Sequence, residues 1–534
     1  LLVAAALAGL ARQAIEMAAA YAGERKAFGQ LIGTFQAISH PLAVVFTDVD
    51  AAKLLVWKAI RDIADGDPRA AAQVSLALWW AADAAGRAVS QAIQTFGGYG
   101  LTTEYDIHLY NLRAKDWSLV WGDPARLLAE GARRLYAGEG AALPDVGEVP
   151  IDFDRGAEAH DLAREVDAFF ARPLTPELAA KAHFSWEGHD PGLHRKFAEA
   201  GLLFPDWPRE IGGRGVSAYA ATAAREVWEE RGWSAVAPSV ARMVGAIIHR
   251  FGGDELKAEV LTRIASGDAV CALGWSEPGA GSDVFAAQTR ATRDGDGWRI
   301  DGQKMFTSGA QVADYIYMIV RTNTDLPKHK GITMFVVPRD TPGITIQPVH
   351  SFQDEPTNIT FYDGIQVPDR YRLGEVDGGL AVMAATLEIE HSASYAKTLE
   401  RLLRAGEDLC RELVSDGRPL IEHADARQRL ARLFVQTRLA QVLNERMLWA
   451  AVEGRSVPAC GPMSRLQSAE AFFEGARDLL NLTAPMSLSK RSGPAATINL
   501  LYRHGHAARI YGGSQEIQRS QIAERALGLP RTRS

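Results

Sequence analysis

Leu273-Gly274-Trp275-Ser276-Glu277-Pro278-Gly279-Ala280-Gly281-Ser282-Asp283 sets three glycines, a proline and two serine hydroxyls at the end of an apolar segment. Glycine lets a backbone N–H approach a ligand closely, and a hydroxyl both donates and accepts, so the stretch reads as a ligand-facing loop. Read alone, it is first an ordinary turn and next a phosphate cradle. No Gly-Lys-Ser/Thr follows it, which excludes the P-loop pattern.

Around this loop the period is that of strands. Tyr315-Ile316-Tyr317-Met318-Ile319-Val320 and Ile332-Thr333-Met334-Phe335-Val336-Val337 are β-branched and aromatic, and Asp294-Gly295-Asp296-Gly297 marks a hairpin. A β-domain is expected over 269–372. On both sides the pattern is helical: an Ala-rich, Pro-poor stretch over 1–136, a Gly- and Pro-rich linker over 137–154, a second helical stretch over 155–268, and long helices over 373–534. The fold class is mainly α with a β-domain.

The 534 residues carry a net charge of −7, and 47% of them are hydrophobic. That balance suits a multidomain globular chain and offers no basic field for nucleic acid or anionic lipid. The three cysteines Cys271, Cys410 and Cys460 are far apart, so neither a disulfide framework nor a zinc site is supported. A cytoplasmic location is expected. The opening Leu1-Leu2-Val3-Ala4-Ala5-Ala6-Leu7-Ala8-Gly9-Leu10 lacks a basic flank, and Arg12 interrupts it short of the ~20 residues of a membrane span. It reads as a buried helix whose beginning is missing, in a piece of a longer protein.

The loop, with Ser-Glu-Pro-Gly-Ala-Gly-Ser-Asp at its centre, closely resembles the flavin and thioester loop of the acyl-CoA dehydrogenase family. Trp275 stands where the family usually has an aliphatic residue. Further strings carry the same resemblance. Gln303-Lys304-Met305-Phe306-Thr307-Ser308-Gly309 is similar to the second flavin strand, with Phe306 at a position often held by Trp. Glu24-Arg25-Lys26-Ala27-Phe28-Gly29-Gln30 with Gln36, and Gln94-Thr95-Phe96-Gly97-Gly98-Tyr99-Gly100, resemble the two segments that hold the ADP part of FAD from a neighbouring subunit. Ile510-Tyr511-Gly512-Gly513-Ser514-Gln515-Glu516-Ile517-Gln518-Arg519 resembles the C-terminal Tyr-Glu-Gly-Thr signature. The fold implied is a helical bundle, a β-barrel-like middle domain and a C-terminal four-helix bundle, preceded by the helical C-terminal domain of a degenerate first repeat.

The resemblance implies FAD-dependent α,β-dehydrogenation of an acyl-CoA thioester, with electron-transfer flavoprotein as acceptor. It assigns Arg25, Phe28, Gln36, Gln94 and Gly98 to the ADP clamp, Trp275, Ser276, Phe306, Ser308 and Ser514 to the flavin, and Ser282 to the pantetheine. The usual base position is vacant in both repeats: Trp121 occupies it in the first and Gly512 in the second. A branch of the family carries its catalytic Glu in a helical Glu-Arg pair that aligns with Glu390-His391, so Glu390 is the expected α-proton base. Glu388, two residues away, points elsewhere on a helix. Gly512 would contribute a backbone N–H at the thioester oxygen. Nothing in 480–494 matches the Gly-rich clamp segment, and nothing after Ser394 matches Arg-Lys-x-Phe-Gly, so clamp and base fall in different repeats. The fused arrangement looks most like the actinobacterial dehydrogenases of steroid side-chain catabolism, which implies a bulky CoA ester and a homodimer of fused chains. A flavin acyl-CoA oxidase and a non-catalytic CoA-thioester-binding scaffold are the competing readings, and no metal is expected.

Overall fold

The computed structural model describes residues 1–171, 183, 185–233, 235–390 and 394–531. The chain divides into two compact units, residues 1–154 with 393–534, and residues 155–392.

The first unit is helical and built from two similar halves. In the N-terminal half, α1 (Leu2–Glu24) leads into a hairpin of β1 (Lys26–Ala27) and β2 (Gln30–Leu31), then α2 (Gln36–Ala64), α3 (Ala70–Phe96), α4 (Ile107–Leu119) and α5 (Pro124–Tyr136). By length and composition α1 is the one described helix apolar enough to cross a membrane. Its Leu7, Ala11, Ile15 and Ala18 are nevertheless fully buried in the protein core. Asp123 caps α5 by accepting from the Ala125 N–H, and Pro124 takes the first helical position, where its missing N–H costs nothing.

The C-terminal half of this unit repeats the plan. Its hairpin, of two-residue strands at Val414–Ser415 and Arg418–Pro419, precedes a helix at Ala424–Val452 of the same 29 residues as α2. Both hairpins turn through two left-handed residues, Phe28 and Gly29 in one, Asp416 and Gly417 in the other. The backbone is thus retained in both halves, while Arg25 and Phe28 of the first face Leu413 and Asp416 in the second.

The two halves share one apolar core. Phe46, Val49 and Trp80 of the first half cluster with Phe434, Leu439, Leu443 and Ile522 of the second. Within this contact the carboxylate of Asp50, 5% exposed, meets Arg446 across the junction, with Lys53 at 3.3 Å and Arg12 at 3.8 Å. Tyr136 donates to Glu407 across the same junction at 2.9 Å.

The second unit, residues 155–392, begins with helices α6 (Ala157–Ala171), α7 (Pro191–Glu199), α8 (Ala218–Glu230), α9 (Val236–Phe251) and α10 (254–265). Asp190 and Ser217 cap α7 and α8 through the N–H groups of Leu193 and Ala220. An eight-stranded sheet follows, numbered onward from the first hairpin: β3 (Cys271–Gly274), β4 (Arg290–Asp294), β5 (Gly297–Met305), β6 (Tyr315–Arg321), β7 (Ile332–Pro338), β8 (Ile344–His350), β9 (Pro356–Pro368) and β10 (Arg372–Leu373). Its order is β10-β7-β6-β4-β5-β9-β8, with β3 parallel to β6, so the barrel-like sheet stays open at β10 and β8. Every residue of β6 is buried, as expected of an apolar strand flanked on both edges. Helix α11 (Gly379–Glu390) packs on α9 and β7.

Removing the carboxylate in Asp50→Ala strands Arg446 in the core, which should cost about 3–5 kcal/mol and lower the thermal unfolding midpoint. Asp50→Ala combined with Arg446→Met removes the charge imbalance and is expected to recover most of that loss; calorimetry of the three proteins measures it.

Candidate active site

The loop after β3 is folded by a charge pair between residues 27 positions apart, which has no local sequence signature. Lys304, fully buried on β5, lies 2.7 Å from the carboxylate of Glu277, and the same carboxylate accepts from the N–H groups of Gln288 at 2.6 Å and Thr289 at 3.0 Å. Burial pushes the Lys304 ammonium down to about 8. Burial alone would raise Glu277, but the ammonium and the two amides hold its carboxyl below the ordinary value. Glu277 and Ala280 exchange two backbone hydrogen bonds across Pro278-Gly279, and the Met305 N–H donates to the Ser276 carbonyl at 2.8 Å. These contacts bring the loop beside the 303–309 strand end, so Ser276 and Phe306 come from adjoining backbone.

Phe306 itself is 60% exposed at φ +59°, a backbone conformation rare for an aromatic residue. Neighbouring contacts hold it there. The Thr307 N–H donates to the Asn358 carbonyl at 2.9 Å, Asn358 returns an amide to the Thr307 carbonyl at 3.1 Å, and Ser308 shares a 2.8 Å hydroxyl contact with Thr357. An exposed aromatic on an over-determined, strained backbone is characteristic of a ligand-facing position. Trp275 packs edge-on to Tyr317, with ring centroids 5.9 Å apart, and its indole N–H is buried without a hydrogen-bond partner.

Tyr317 connects the loop to α11. Its hydroxyl lies 2.7 Å from Thr386 Oγ1, and Thr386 donates onward to the Val382 carbonyl. Val382, Met383, Ala385 and Thr386 form the buried face of α11, whereas Glu388 is exposed. Glu390 closes the helix one turn beyond Thr386; its side chain, and all of His391, lie outside the described residues. Ser282 is exposed next to Asp283, which pairs with Lys328 at 2.6 Å.

In the helical unit, Arg25 and Gly98 line a cavity of about 440 Å³ with Tyr21, Phe96, Gly97 and Tyr99. The Arg25 guanidinium sits 5.9 Å from the Tyr99 ring centroid. Gly97 turns through φ +63°, and neither Gly97 nor Gly98 has any atom within 4 Å of where a Cβ would stand. Phe28 is 96% exposed, Gln36 is exposed at the start of α2, and Gln94 lines a separate groove of about 1010 Å³. Arg25 and Gly98 are therefore brought together; Phe28, Gln36 and Gln94 present themselves around them without mutual contact.

The C-terminal signature lies against this region. Helix Gln515–Arg525 packs on α2, where His40 Nε2 lies 3.0 Å from Ser520 Oγ, and Gly33 approaches Leu529. Burial and the nearby Arg519 lower the His40 pKa, against an opposing effect of Glu516. Gln36 and Ser514 thus open two helices that pack together. At the other candidate, Gly512 adopts φ +64°, and a Cβ there would stand 2.9 Å from the Arg465 guanidinium. Trp121, its counterpart in the first half, is 66% exposed.

Comparison with known proteins agrees with this arrangement. The model of the acyl-CoA dehydrogenase C-terminal domain matches residues 1–135 and again 377–527, the N-terminal domain model matches 156–268, and the middle domain model matches 272–361. The chain belongs to the acyl-CoA dehydrogenase family. It is 30% identical to acyl-CoA dehydrogenase FadE34 of Mycobacterium tuberculosis over 99% of this chain and 70% of that one. Among solved structures, the Tcur3481-Tcur3483 steroid ACAD superposes with a TM-score of 0.65 at 30% identity, over 71% of this chain and all of that one. The ChsE4-ChsE5 complex from Mycobacterium tuberculosis gives 0.64 at 29%, over 73% and 100%. Within residues 1–534 of this acyl-CoA dehydrogenase the C-terminal domain model matches twice and the other two models once each.

Glu277→Gln leaves the Lys304 ammonium buried beside a neutral amide, and is expected to cost about 3–5 kcal/mol in thermal unfolding. Glu277→Gln with Lys304→Met should be markedly less damaging; equal losses in the single and double variants would show that the pair does not hold the loop.

Proposed function

We propose that this acyl-CoA dehydrogenase binds one FAD per chain, with the ADP part assigned to clamp residues of the first helical half and the flavin and base roles to residues of the later domains. FAD fits the residues present. Arg25 stands ready for a charge-assisted contact to a pyrophosphate, the open Gly97-Gly98 backbone admits the close approach of its oxygens, and the unpartnered Trp275 N–H and outward Phe306 offer a donor and a ring face. The packing of the helix that Ser514 opens onto α2, which Gln36 opens, supports the joint use of both halves. FAD held by these residues would supply the hydride acceptor for the substrate β-carbon.

The protein's own work is removal of the α-proton, and we assign it to Glu390. The observation that carries this assignment is the turn at Gly512, which takes φ +64° and supplies no side chain where the usual base stands. Glu390, by contrast, closes the helix that Thr386 and Tyr317 tie to the flavin loop. A carboxylate in an apolar cleft is a stronger base than one in water, which suits a weakly acidic α-proton. The Gly512 N–H serves the thioester oxygen as negative charge develops there. Ser282 contacts the pantetheine, electron-transfer flavoprotein is the acceptor, and the fused chains form a homodimer. The likeness to a steroid ACAD favours bulky, ring-bearing CoA esters as substrates.

Anaerobic flavin bleaching tests the assignment. Glu390→Gln should retain FAD and lose at least ~10³-fold in bleaching rate, while Glu388→Gln stays near the parent; the reverse pattern would contradict the helix register used here. Arg25→Ala should lose FAD on gel filtration, since a charge-assisted phosphate contact contributes about 1.5–3 kcal/mol. A kcat/KM higher for butanoyl- or octanoyl-CoA than for every steroid thioester would exclude the bulky-substrate reading.

A further inference from the structure

Arg465 belongs to no part of the site so far described, and its surroundings are unusual. It is 7% exposed, and among the described residues no carboxylate lies within salt-bridge distance of it. Its Nη2 donates to the Tyr511 carbonyl at 2.8 Å, and its guanidinium carbon lies 4.5 Å from the Tyr395 ring centroid and 5.3 Å from that of Tyr511. Its Nε is buried without a partner. A buried cation without an anion is costly, and one carbonyl and two ring faces replace only part of its hydration. A neutral side chain of similar shape would tie the same elements together without that cost, so the charge itself calls for an account.

The turn that Arg465 grips is Tyr511-Gly512-Gly513-Ser514. Gln518 Nε2 donates to the carbonyls of Gly512 and Gly513, each at 3.2 Å. Three successive carbonyls are therefore bonded inward, to Arg465 and Gln518. Successive left-handed glycines at φ +64° and +83° complete a tight turn.

We infer that Arg465 is a positioning residue for the dehydrogenation: it fixes the 511–514 turn through the Tyr511 carbonyl and supplies a buried positive field under the amide that receives the thioester oxygen. This rests on the proposed function, because it takes the turn to face the thioester. The charge that finds no anion among the described residues meets one as the α-proton leaves and negative charge moves to that oxygen, which is when a fixed cation in a low-dielectric site counts most.

The test uses the full FAD-loaded chain with Arg465→Met and Arg465→Lys. Acetoacetyl-CoA, acidic enough to bind as its enolate, reports the field without turnover through its own ultraviolet absorption. Arg465→Met should lower the bound enolate fraction at neutral pH at least tenfold, raise amide hydrogen exchange across 511–514, and reduce kcat at least tenfold with KM within threefold and FAD content unchanged. Arg465→Lys, which keeps the charge, should restore most of the enolate fraction; should Arg465→Met fail to fold, the ratio of enolate fraction in Arg465→Lys to that in Arg465→Gln carries the comparison. Parental enolate fraction and kcat in the neutral variants would overturn the inference. If the unaltered protein bleaches with no acyl-CoA at all, the proposed function fails, and the comparison of variants is not what failed.

Discussion

The constraint on which the helical unit depends is the burial of one carboxylate between two related halves of the same chain. Asp50 lies inside the shared core, and Arg446 reaches it from the opposite half. Such a pair adds little net stability over an apolar contact of the same shape, but either partner alone is strongly unfavourable. Its consequence is register. Helix α2 can slide along the Ala424–Val452 helix only by exposing the charge, so the ends of both helices are fixed. The hairpin bearing Arg25 precedes one of them, and the helix opened by Ser514 rests on the same α2.

A parallel logic holds the β-domain. Lys304 and Glu277 are 27 positions apart, both buried, and paired; the backbone amides of Gln288 and Thr289 complete the carboxylate's hydrogen bonding. That pair pulls the loop onto the strand end so that a strained Phe306 is exposed beside Ser276. The aromatic path from Trp275 through Tyr317 to Thr386 then links the loop to the helix that Glu390 ends. In both units the residues assigned to chemistry sit at element ends, and charged pairs within the core fix those ends.

The helix and strand patterns were legible because their apolar periods are long and uninterrupted: β6 and β7 are buried almost throughout, as their β-branched runs required. The duplication of the helical domain was legible from strings at Arg25, Gly97 and Gly512, and its backbone counterpart appears in two hairpins with matching left-handed pairs. Three features were not. Glu277 was visible only as part of a loop string, since a pair across 27 positions has no local signature. Arg465 lies mid-helix among apolar and small residues and reads as an ordinary solvated position. The contact of His40 with Ser520 joins residues 480 apart. Each is a tertiary pairing of polar groups, and periodicity reports burial of a face without reporting what a buried polar group meets.

The residues proposed for the clamp fall in the first half, which has Trp121 at the usual base position, while the second half has a hairpin of the same shape with Leu413 and Asp416 where Arg25 and Phe28 stand. Loss of chemistry with retention of backbone in both halves is the pattern expected when two once-equivalent sites collapse to one. Flavin absorbance against protein concentration, on the purified full chain reconstituted with excess FAD and freed of unbound cofactor, tests this most directly. One FAD per chain is the predicted value, and two per chain would contradict the division of the site between the halves.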